Sequence, residues 1–462
     1  MARTRMVVVG GNAAGMSAAS QARRRRGPHD LEITAFERGA HTSYSACGLP
    51  YLAAGLVRRW QDLVVRTPEQ FAERDVRVHV RTEVEGVDLD ARRVHVRDLE
   101  TGRTRSEAWD ELVLATGAEP LRPAIPGIGL PGVHGLSTLD DGIRFAAAID
   151  AGPRAAVVVG GGYIGLEAAE ALVHRGVPTT VVERAPQVMG RIDPDMGALV
   201  GDAVRALGVD LHLGEQVEAI EADGSGRVAA VRTAARTLPA GLVVLGLGTR
   251  PRAGLAAEAG IPIGETGAVV VDERTRTPLA GVWAAGDCAQ ARHVLTGRPV
   301  NYHLGTIANK QGRTCGVNLG GGDATFPGVL GTAATKVCRV EVARTGLGEA
   351  ELAALGVEHR AAVIESTTRA GYYPGAARLR IKLLAERRSG RLLGAQIVGE
   401  EHAAKRIDVL ATALWNGMSV HELVDVDLSY APPFATVWDP VLVAARKLAE
   451  QVGRGPTGGS GG

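Results

Sequence analysis

Two stretches of this chain share one pattern. An apolar run meets a glycine cluster, then a segment of helical length follows, and a second apolar run ends in an acid. The first stretch opens with Met6-Val7-Val8-Val9-Gly10-Gly11 and closes with Ile33-Thr34-Ala35-Phe36-Glu37. The second runs from Ala155-Ala156-Val157-Val158-Val159-Gly160 to Thr180-Val181-Val182-Glu183. Short continuous apolar runs read as strands buried on both faces, as in parallel sheets with a helix crossing between neighbours. Each stretch therefore predicts a strand, glycine turn, helix and strand. Two such units predict an α/β architecture with two Rossmann-like dinucleotide-binding domains.

Elsewhere the pattern changes. Apolar and polar positions alternate through about 76–115, as in Val76-Arg77-Val78-His79-Val80 and Arg93-Val94-His95-Val96, which predicts antiparallel β structure. Pro120 to Pro131 reads as a connection between domains. From about Phe326 the strands Arg378-Leu379-Arg380-Ile381-Lys382-Leu383 and Leu392-Leu393-Gly394-Ala395-Gln396-Ile397-Val398 precede helical segments near 401–417 and 437–451. This predicts a third, α+β domain over 325–452. The Gly-rich 453–462 reads as a disordered tail.

Composition narrows the function. The 462 residues suffice for two or three domains and a buried cofactor. Lys+Arg 52 against Asp+Glu 51 argues against nucleic acid or an anionic membrane as the main partner. The longest apolar runs fall short of a membrane span, and the strand starting at Met6 leaves no room for a signal peptide. Cys47, Cys288, Cys315 and Cys338 are scattered without CxxC spacing, which suits a reducing cytoplasm and predicts no metal site.

In the second turn, Gly160-Gly161-Gly162-Tyr163-Ile164-Gly165, each glycine has a task. Gly160 permits the tight turn, Gly162 lets the backbone approach a pyrophosphate, and Gly165 packs helix on strand. Glu183, eighteen residues after Gly165, is placed to accept from a ribose 2′-OH and to repel a 2′-phosphate, which favours NADH. Arg184 beside it would pair with such a phosphate, so NADPH stays open. The first turn, Gly10-Gly11-Asn12-Ala13-Ala14-Gly15, has Asn12 at the middle glycine position, with Glu37 ending the next strand.

Cys47 lies in Ser43-Tyr44-Ser45-Ala46-Cys47-Gly48-Leu49-Pro50-Tyr51, and Gly48 to Leu52 contains no second cysteine. Electrons leaving a flavin here cannot be stored in an internal dithiol pair. They must pass to a thiol bound from outside or to an oxidised form of Cys47. Cys47-Gly48-Leu49-Pro50-Tyr51 predicts a thiol at a helix start, where backbone N–H groups lower its pKa from about 8.5 toward neutrality.

Further segments carry a resemblance. Leu114-Ala115-Thr116-Gly117-Ala118 and Thr277-Pro278-Leu279-Ala280-Gly281-Val282-Trp283-Ala284-Ala285-Gly286-Asp287 resemble the two flavin segments of two-dinucleotide flavoprotein reductases. With the Cys47 segment, Gly371-Tyr372-Tyr373-Pro374-Gly375, Lys405-Arg406-Ile407-Asp408 and Ser429-Tyr430-Ala431-Pro432-Pro433-Phe434, the chain resembles the single-cysteine pyridine nucleotide-disulfide oxidoreductases over residues 5–450. That group includes coenzyme A-disulfide reductases, NADH oxidases, NADH peroxidases and sulfur or polysulfide reductases.

The resemblance implies FAD at the first turn and NAD(P)H at the second. The FAD-binding domain would be discontinuous, 1–119 and 246–324, around an NAD(P)H-binding domain at 120–245, with the third domain forming a homodimer. FAD contacts implied are Gly10, Gly11, Gly15, Glu37, Thr116, Gly117, Asp287 (to the ribityl chain) and Tyr430. Gly160, Gly162, Gly165 and Glu183 would bind NAD(P)H. Oxidases and peroxidases of the group carry a histidine where this chain has Ala13, whereas the coenzyme A-disulfide branch uses third-domain tyrosines of the other subunit, matched by Tyr430 and Tyr372 (or Tyr373). Coenzyme A contacts map to Ser17, Gln21, Arg24, Ser43 and Asn309. Two depart from the group: its Asn before the cysteine is Ala46, and its downstream Lys falls at Asp75. The run Arg23-Arg24-Arg25-Arg26 reads either as a solvated helix end or as a clamp for coenzyme A phosphates.

The implied reaction is NAD(P)H-dependent reduction of coenzyme A disulfide, or a similar small disulfide, through a Cys47 mixed disulfide, with Tyr430 and Tyr372 handling the leaving thiolate. The alternative keeps Cys47 and changes the acceptor to O2, peroxide or polysulfide. A flavin reductase for a protein electron carrier would need neither Cys47 nor the tyrosines. No HPxxxE segment is present near the C-terminus, which disfavours a glutathione-reductase-like enzyme.

Overall fold

The structure, a computed structural model, describes residues 3–453. Beyond Gly453 the expected tail lies outside the described residues. The chain forms two compact units, each drawn from three segments.

The first unit takes the chain through Ala124, then His134–Gly152 and Leu247–Val329. Its main sheet is parallel, in the order Val282–Ala284, Glu111–Leu114, Thr4–Val9, Leu31–Phe36 and Val76–His79. Val8, Ala35 and Val113 are fully buried, as two-sided burial requires. A three-stranded antiparallel sheet, Thr82–Asp88, Arg93–Asp98 and Thr104–Ala108, accounts for the alternation read from 76 to 115.

The first helix, Ala13–Arg23, buries Ala14, Ala18, Ala19 and Ala22. These small side chains let helix Gly305–Leu319 come very close. A Cβ at Gly312 would stand 2.2 Å from the carbonyl oxygen of Ala14, and one at Gly316 equally near that of Ala18. The two helices can touch only backbone to backbone, and this contact seats Asn309 beside Ser17.

The second unit contains Ile125–Val133, Pro153–Gly246 and the chain from Leu330 onward. Asp210–Leu213, Thr179–Glu183, Ala156–Val159 and Leu242–Leu245 are parallel neighbours in its first sheet. Its second is a five-stranded antiparallel sheet in the order Ala333–Val337, Val340–Gly346, Leu392–Gly399, Arg378–Glu386 and His359–Thr367. Helices Ile407–Trp415 and Pro440–Ala449 pack on that sheet, where helical segments were expected.

One ion cluster around a buried lysine joins parts of this unit that lie far apart in sequence. Lys382 Nζ stands 3.0 Å from Asp193 Oδ2, 2.8 Å from Asp195 Oδ1 and 3.1 Å from Glu349 Oε2, with its side chain only 4% exposed. A buried ammonium of this kind persists because its partners surround it. Among the described residues no helix is long and apolar enough to cross a membrane.

Candidate active site

The first glycine turn is held by contacts that only its residue types allow. Gly10 has φ +111, and a Cβ there would fall 2.1 Å from the carbonyl oxygen of Ala115, so the Ala115-Thr116-Gly117 segment presses directly on the turn. Thr116 donates its hydroxyl to the Arg252 carbonyl at 2.6 Å, fixing that segment. Gly286 brings Asp287 to the same place, since a Cβ on it would stand 2.7 Å from that of Ala14. Gly10, Gly15, Thr116, Gly117 and Asp287, expected from sequence around one cofactor, therefore converge in the first unit.

Glu37 accepts from the backbone N–H of Gly11 and of Gly39, each at 2.7 Å. Glu183 repeats the device in the second unit, accepting from Gly161 at 2.6 Å and from Ala185 at 2.8 Å. These bonds fix each carboxylate and leave lone pairs on both oxygens for ribose hydroxyls. Neither Asn12 nor Gly162, the residues capping the two turn helices, makes a side-chain capping bond, so both helix starts keep N–H groups for an anion. A Cβ at Gly162 would meet nothing within 4 Å, the open space a close-lying pyrophosphate requires. Burial pushes the Asp287 carboxyl up to about 6. The residues present therefore fit FAD at the first turn and a nicotinamide dinucleotide at the second.

Asn12 has a role that the glycine pattern did not reveal. Its Oδ1 accepts from the Tyr44 N–H at 3.2 Å, while Ser43 donates its N–H to Gly11 at 2.9 Å. The Cys47 loop is thus pinned onto the glycine turn. Ser43 adopts φ +49, a left-handed conformation costly for a non-glycine residue. It is held from both sides, because its carbonyl also accepts from Val65 at 2.8 Å.

Cys47 is exposed. It lies in a single 3-10 turn, Ala46–Gly48, ahead of a five-residue helix, Leu49–Ala53, whose N-cap is Gly48. The expected helix-start thiol needs correcting in this respect. The amides of Gly48 and Leu49 already donate to Ser45 and Ala46, and Pro50 has none. The turn therefore offers the sulfur fewer N–H groups than a full helix terminus. Gly48 is required where it stands, because a Cβ there would come 2.2 Å from Leu63 Cδ2.

On the first helix Ser17 and Gln21 follow at helical spacing along one face, and Arg24 is the C-cap. Ser17 donates to Asn309 Oδ1 at 2.8 Å. Ser43 belongs to the loop pinned on the same turn, so the five expected substrate contacts all lie in the first unit.

Tyr372 and Tyr430 lie in the second unit, on loops that Arg406 ties together. Its Nη2 donates to the Thr368 carbonyl at 2.6 Å and to the Phe434 carbonyl at 2.9 Å. The Ala370 N–H adds a bond to Pro432 at 3.2 Å. The two tyrosine side chains hydrogen-bond to each other and are exposed, 78% for Tyr372 and 44% for Tyr430. Phe434, Val437 and Trp438 also remain exposed nearby in sequence.

The pyridine nucleotide-disulphide oxidoreductase model matches residues 4–312, and the dimerisation domain of the same group matches 332–440. The NAD(P)H coenzyme A polysulfide/persulfide reductase of Pyrococcus horikoshii is 39% identical over 449 residues, covering 96% of this chain and 98% of the relative. A coenzyme A disulfide reductase of Staphylococcus haemolyticus is 27% identical over 457 residues, covering 96% and 99%. The solved NAD-dependent persulfide reductase of A. fulgidus superposes with a TM-score of 0.93 at 38% identity, covering 97% of this chain and 83% of that one. The dimerisation-domain match supports a homodimer. The chain belongs to the pyridine nucleotide-disulphide oxidoreductase family, with two Rossmann-type nucleotide-binding regions and a C-terminal dimerisation domain.

Proposed function

We propose that this enzyme uses NAD(P)H to reduce an S–S bond carried by coenzyme A, with coenzyme A disulfide as the first candidate and Cys47 as the single redox cysteine. The observation that carries the reading is the exposed Cys47 on a loop pinned by Asn12 to the glycine turn from which the helix carrying Ser17 and Gln21 starts. Bound FAD would supply the two-electron path from nicotinamide to sulfur. The Cys47 thiolate attacks one sulfur of the disulfide, forms Cys47–S–S–CoA and expels the second coenzyme A as a thiolate, which takes a proton. Two electrons and one proton from NAD(P)H then return Cys47 to the thiolate and release the bound coenzyme A as a thiol, so that the cycle takes one proton from solvent, the one given to the first leaving thiolate. The partner subunit's Tyr430, hydrogen-bonded to the partner subunit's Tyr372, orients and protonates the leaving group.

A second reading, coenzyme A persulfide or polysulfide, is favoured by the 39% identity to the Pyrococcus enzyme of that name, against 27% to the disulfide reductase. The chemistry at Cys47 is the same, and only the group expelled differs. Ala13 stands where a peroxidase-like mechanism would have its histidine, which speaks against peroxide.

Anaerobic turnover of the FAD-loaded protein tests the reading. Two thiols released per NADH from coenzyme A disulfide, and loss of that activity in Cys47→Ser, are expected. Turnover that starts only when air is admitted would move the assignment to an oxidase.

A further inference from the structure

The four arginines from Arg23 to Arg26 do not act as one clamp. Arg23 donates to the carbonyls of Arg26 at 3.0 Å, Leu31 at 2.7 Å and Asp75 at 3.0 Å. Arg25 is turned back on Gln21, 3.0 Å from Oε1. Arg26 donates to Thr4 Oγ1 at 2.9 Å and to the Asp30 carbonyl at 3.0 Å. Three of the four guanidiniums are thus committed to holding the end of the first helix. The exposed Arg24 has no ion pair or side-chain hydrogen bond among the described residues.

Two further guanidiniums, Arg66 and Arg74, also lack an ion pair among the described residues, and they flank the helix Pro68–Ala72, whose far end the Arg23 bond to the Asp75 carbonyl ties to the end of the first helix. Arg66 directly follows Val65, whose N–H donates to Ser43 at 2.8 Å. Arg74 follows helix Pro68–Ala72 and adjoins Asp75, whose carbonyl takes the 3.0 Å bond from Arg23. Arg66 lies over the ring of the buried Phe71 at 5.0 Å, a contact that orients the guanidinium without neutralising it. Neither Arg66 nor Arg74 has a carboxylate partner among the described residues, and the field of Asp75 falls on Arg23. Partial burial, and after it the charges of Arg74 and Arg24, push Arg66 below its ordinary pKa. Three cations that repel one another without a counter-charge form a site that a multiply charged anion would relieve.

Resting on the coenzyme A reading above, we propose that Arg66 and Arg74 join Arg24 to hold the phosphates of the 3′-phospho-ADP end of coenzyme A, replacing the charge that the family's lysine would supply where this chain has Asp75. The arrangement accounts for the tolerance of an acid at Asp75, because three arginines from three segments supply the positive charge instead. Arg66 and Arg74 are positioned for substrate affinity and not for chemistry at sulfur.

The test uses the FAD-loaded full chain and measures Kd for coenzyme A and for 3′-dephospho-coenzyme A, together with KM and kcat for coenzyme A disulfide. The native protein should prefer coenzyme A about tenfold or more, and the preference should shrink as salt screens it. Arg66→Gln and Arg74→Gln should each weaken coenzyme A binding about tenfold, close the gap to the dephospho form and raise KM with kcat retained. Arg66→Lys, which keeps the charge, should recover part of the affinity. Variants that keep the native flavin spectrum and melting temperature yet bind coenzyme A as the native protein does would overturn the arginine assignment and leave the Cys47 reading standing. A native protein that neither binds coenzyme A nor turns over its disulfide would overturn both.

Discussion

Tyr372 hydrogen-bonds to Tyr430 and raises the pKa of the Tyr430 phenol above its ordinary value. A phenol held in this way keeps its proton across the physiological range and can donate it to a leaving thiolate. The pair depends on Arg406, which joins the Thr368 and Phe434 carbonyls through one nitrogen.

Removing the Tyr430 hydroxyl should therefore lower turnover with coenzyme A disulfide without loss of FAD. Tyr430→Phe is expected to reduce kcat about a hundredfold, the scale of a lost general acid, and Tyr372→Phe to reduce it less. In the native enzyme the alkaline limb of the kcat profile should lie above the ordinary phenol range, and in Tyr372→Phe it should move down. Stopped-flow turnover across pH checks both, and an unchanged profile in Tyr430→Phe would remove the tyrosine from the reaction.

Asn12 occupies a glycine position because it ties down the Cys47 loop. Restoring the glycine with Asn12→Gly removes the acceptor for the Tyr44 N–H. The expected cost is about 1 kcal/mol of stability, with FAD content kept and turnover reduced. Thermal melting and single-turnover reduction of the disulfide would show it.

Asp287 makes the FAD-free protein pH-sensitive. Its carboxyl is raised by burial from 3.8 to about 6, so the folded chain binds this proton more tightly than the unfolded chain does. That contribution to stability is full below about 4 and is lost as pH rises through about 6. At pH 7 the buried charge costs up to about 3 kcal/mol. FAD-free Asp287→Asn should thus melt above FAD-free native protein at pH 7, with the advantage shrinking toward pH 4. The same variant should bind FAD more weakly, having lost its carboxylate acceptor.

Lys382 should be intolerant of neutral replacement. Lys382→Met leaves the carboxylates of Asp193, Asp195 and Glu349 facing one another without a cation. A loss of about 2–3 kcal/mol is expected, less than for a fully buried pair because Asp195 and Glu349 are 46% and 43% exposed and only Asp193 would be left buried and unpaired. Urea denaturation would measure it, and a change below about 1 kcal/mol would show that solvent reaches the cluster.

Features written locally in the chain were readable from it. The apolar run before Gly10 became the parallel neighbour of the strand leading to Glu37, the run before Gly160 that of the strand ending at Glu183, and both acids folded back onto their own glycine turns. Features that depend on distant partners were not. Arg406 meets Thr368 and Phe434, Lys382 meets Asp195, and no local periodicity announces either contact. The arginine run left two readings open for the same reason, because its members are separated by partners such as Leu31 and Asp75 that spacing cannot assign. Around Cys47 the helical pattern was present, but the bonds from Gly48 and Leu49 to Ser45 and Ala46 close a 3-10 turn there, and the α-helix begins only at Leu49.

The covalent state of Cys47 during turnover tests the account most directly. The FAD-loaded protein would be treated anaerobically with coenzyme A disulfide, and its intact mass and peptides measured before and after NADH is added. The account predicts one coenzyme A attached per chain, mapped to Cys47, and its release by one equivalent of NADH. Steady turnover with no adduct on Cys47 at any stage, or an adduct that NADH does not release, would contradict it.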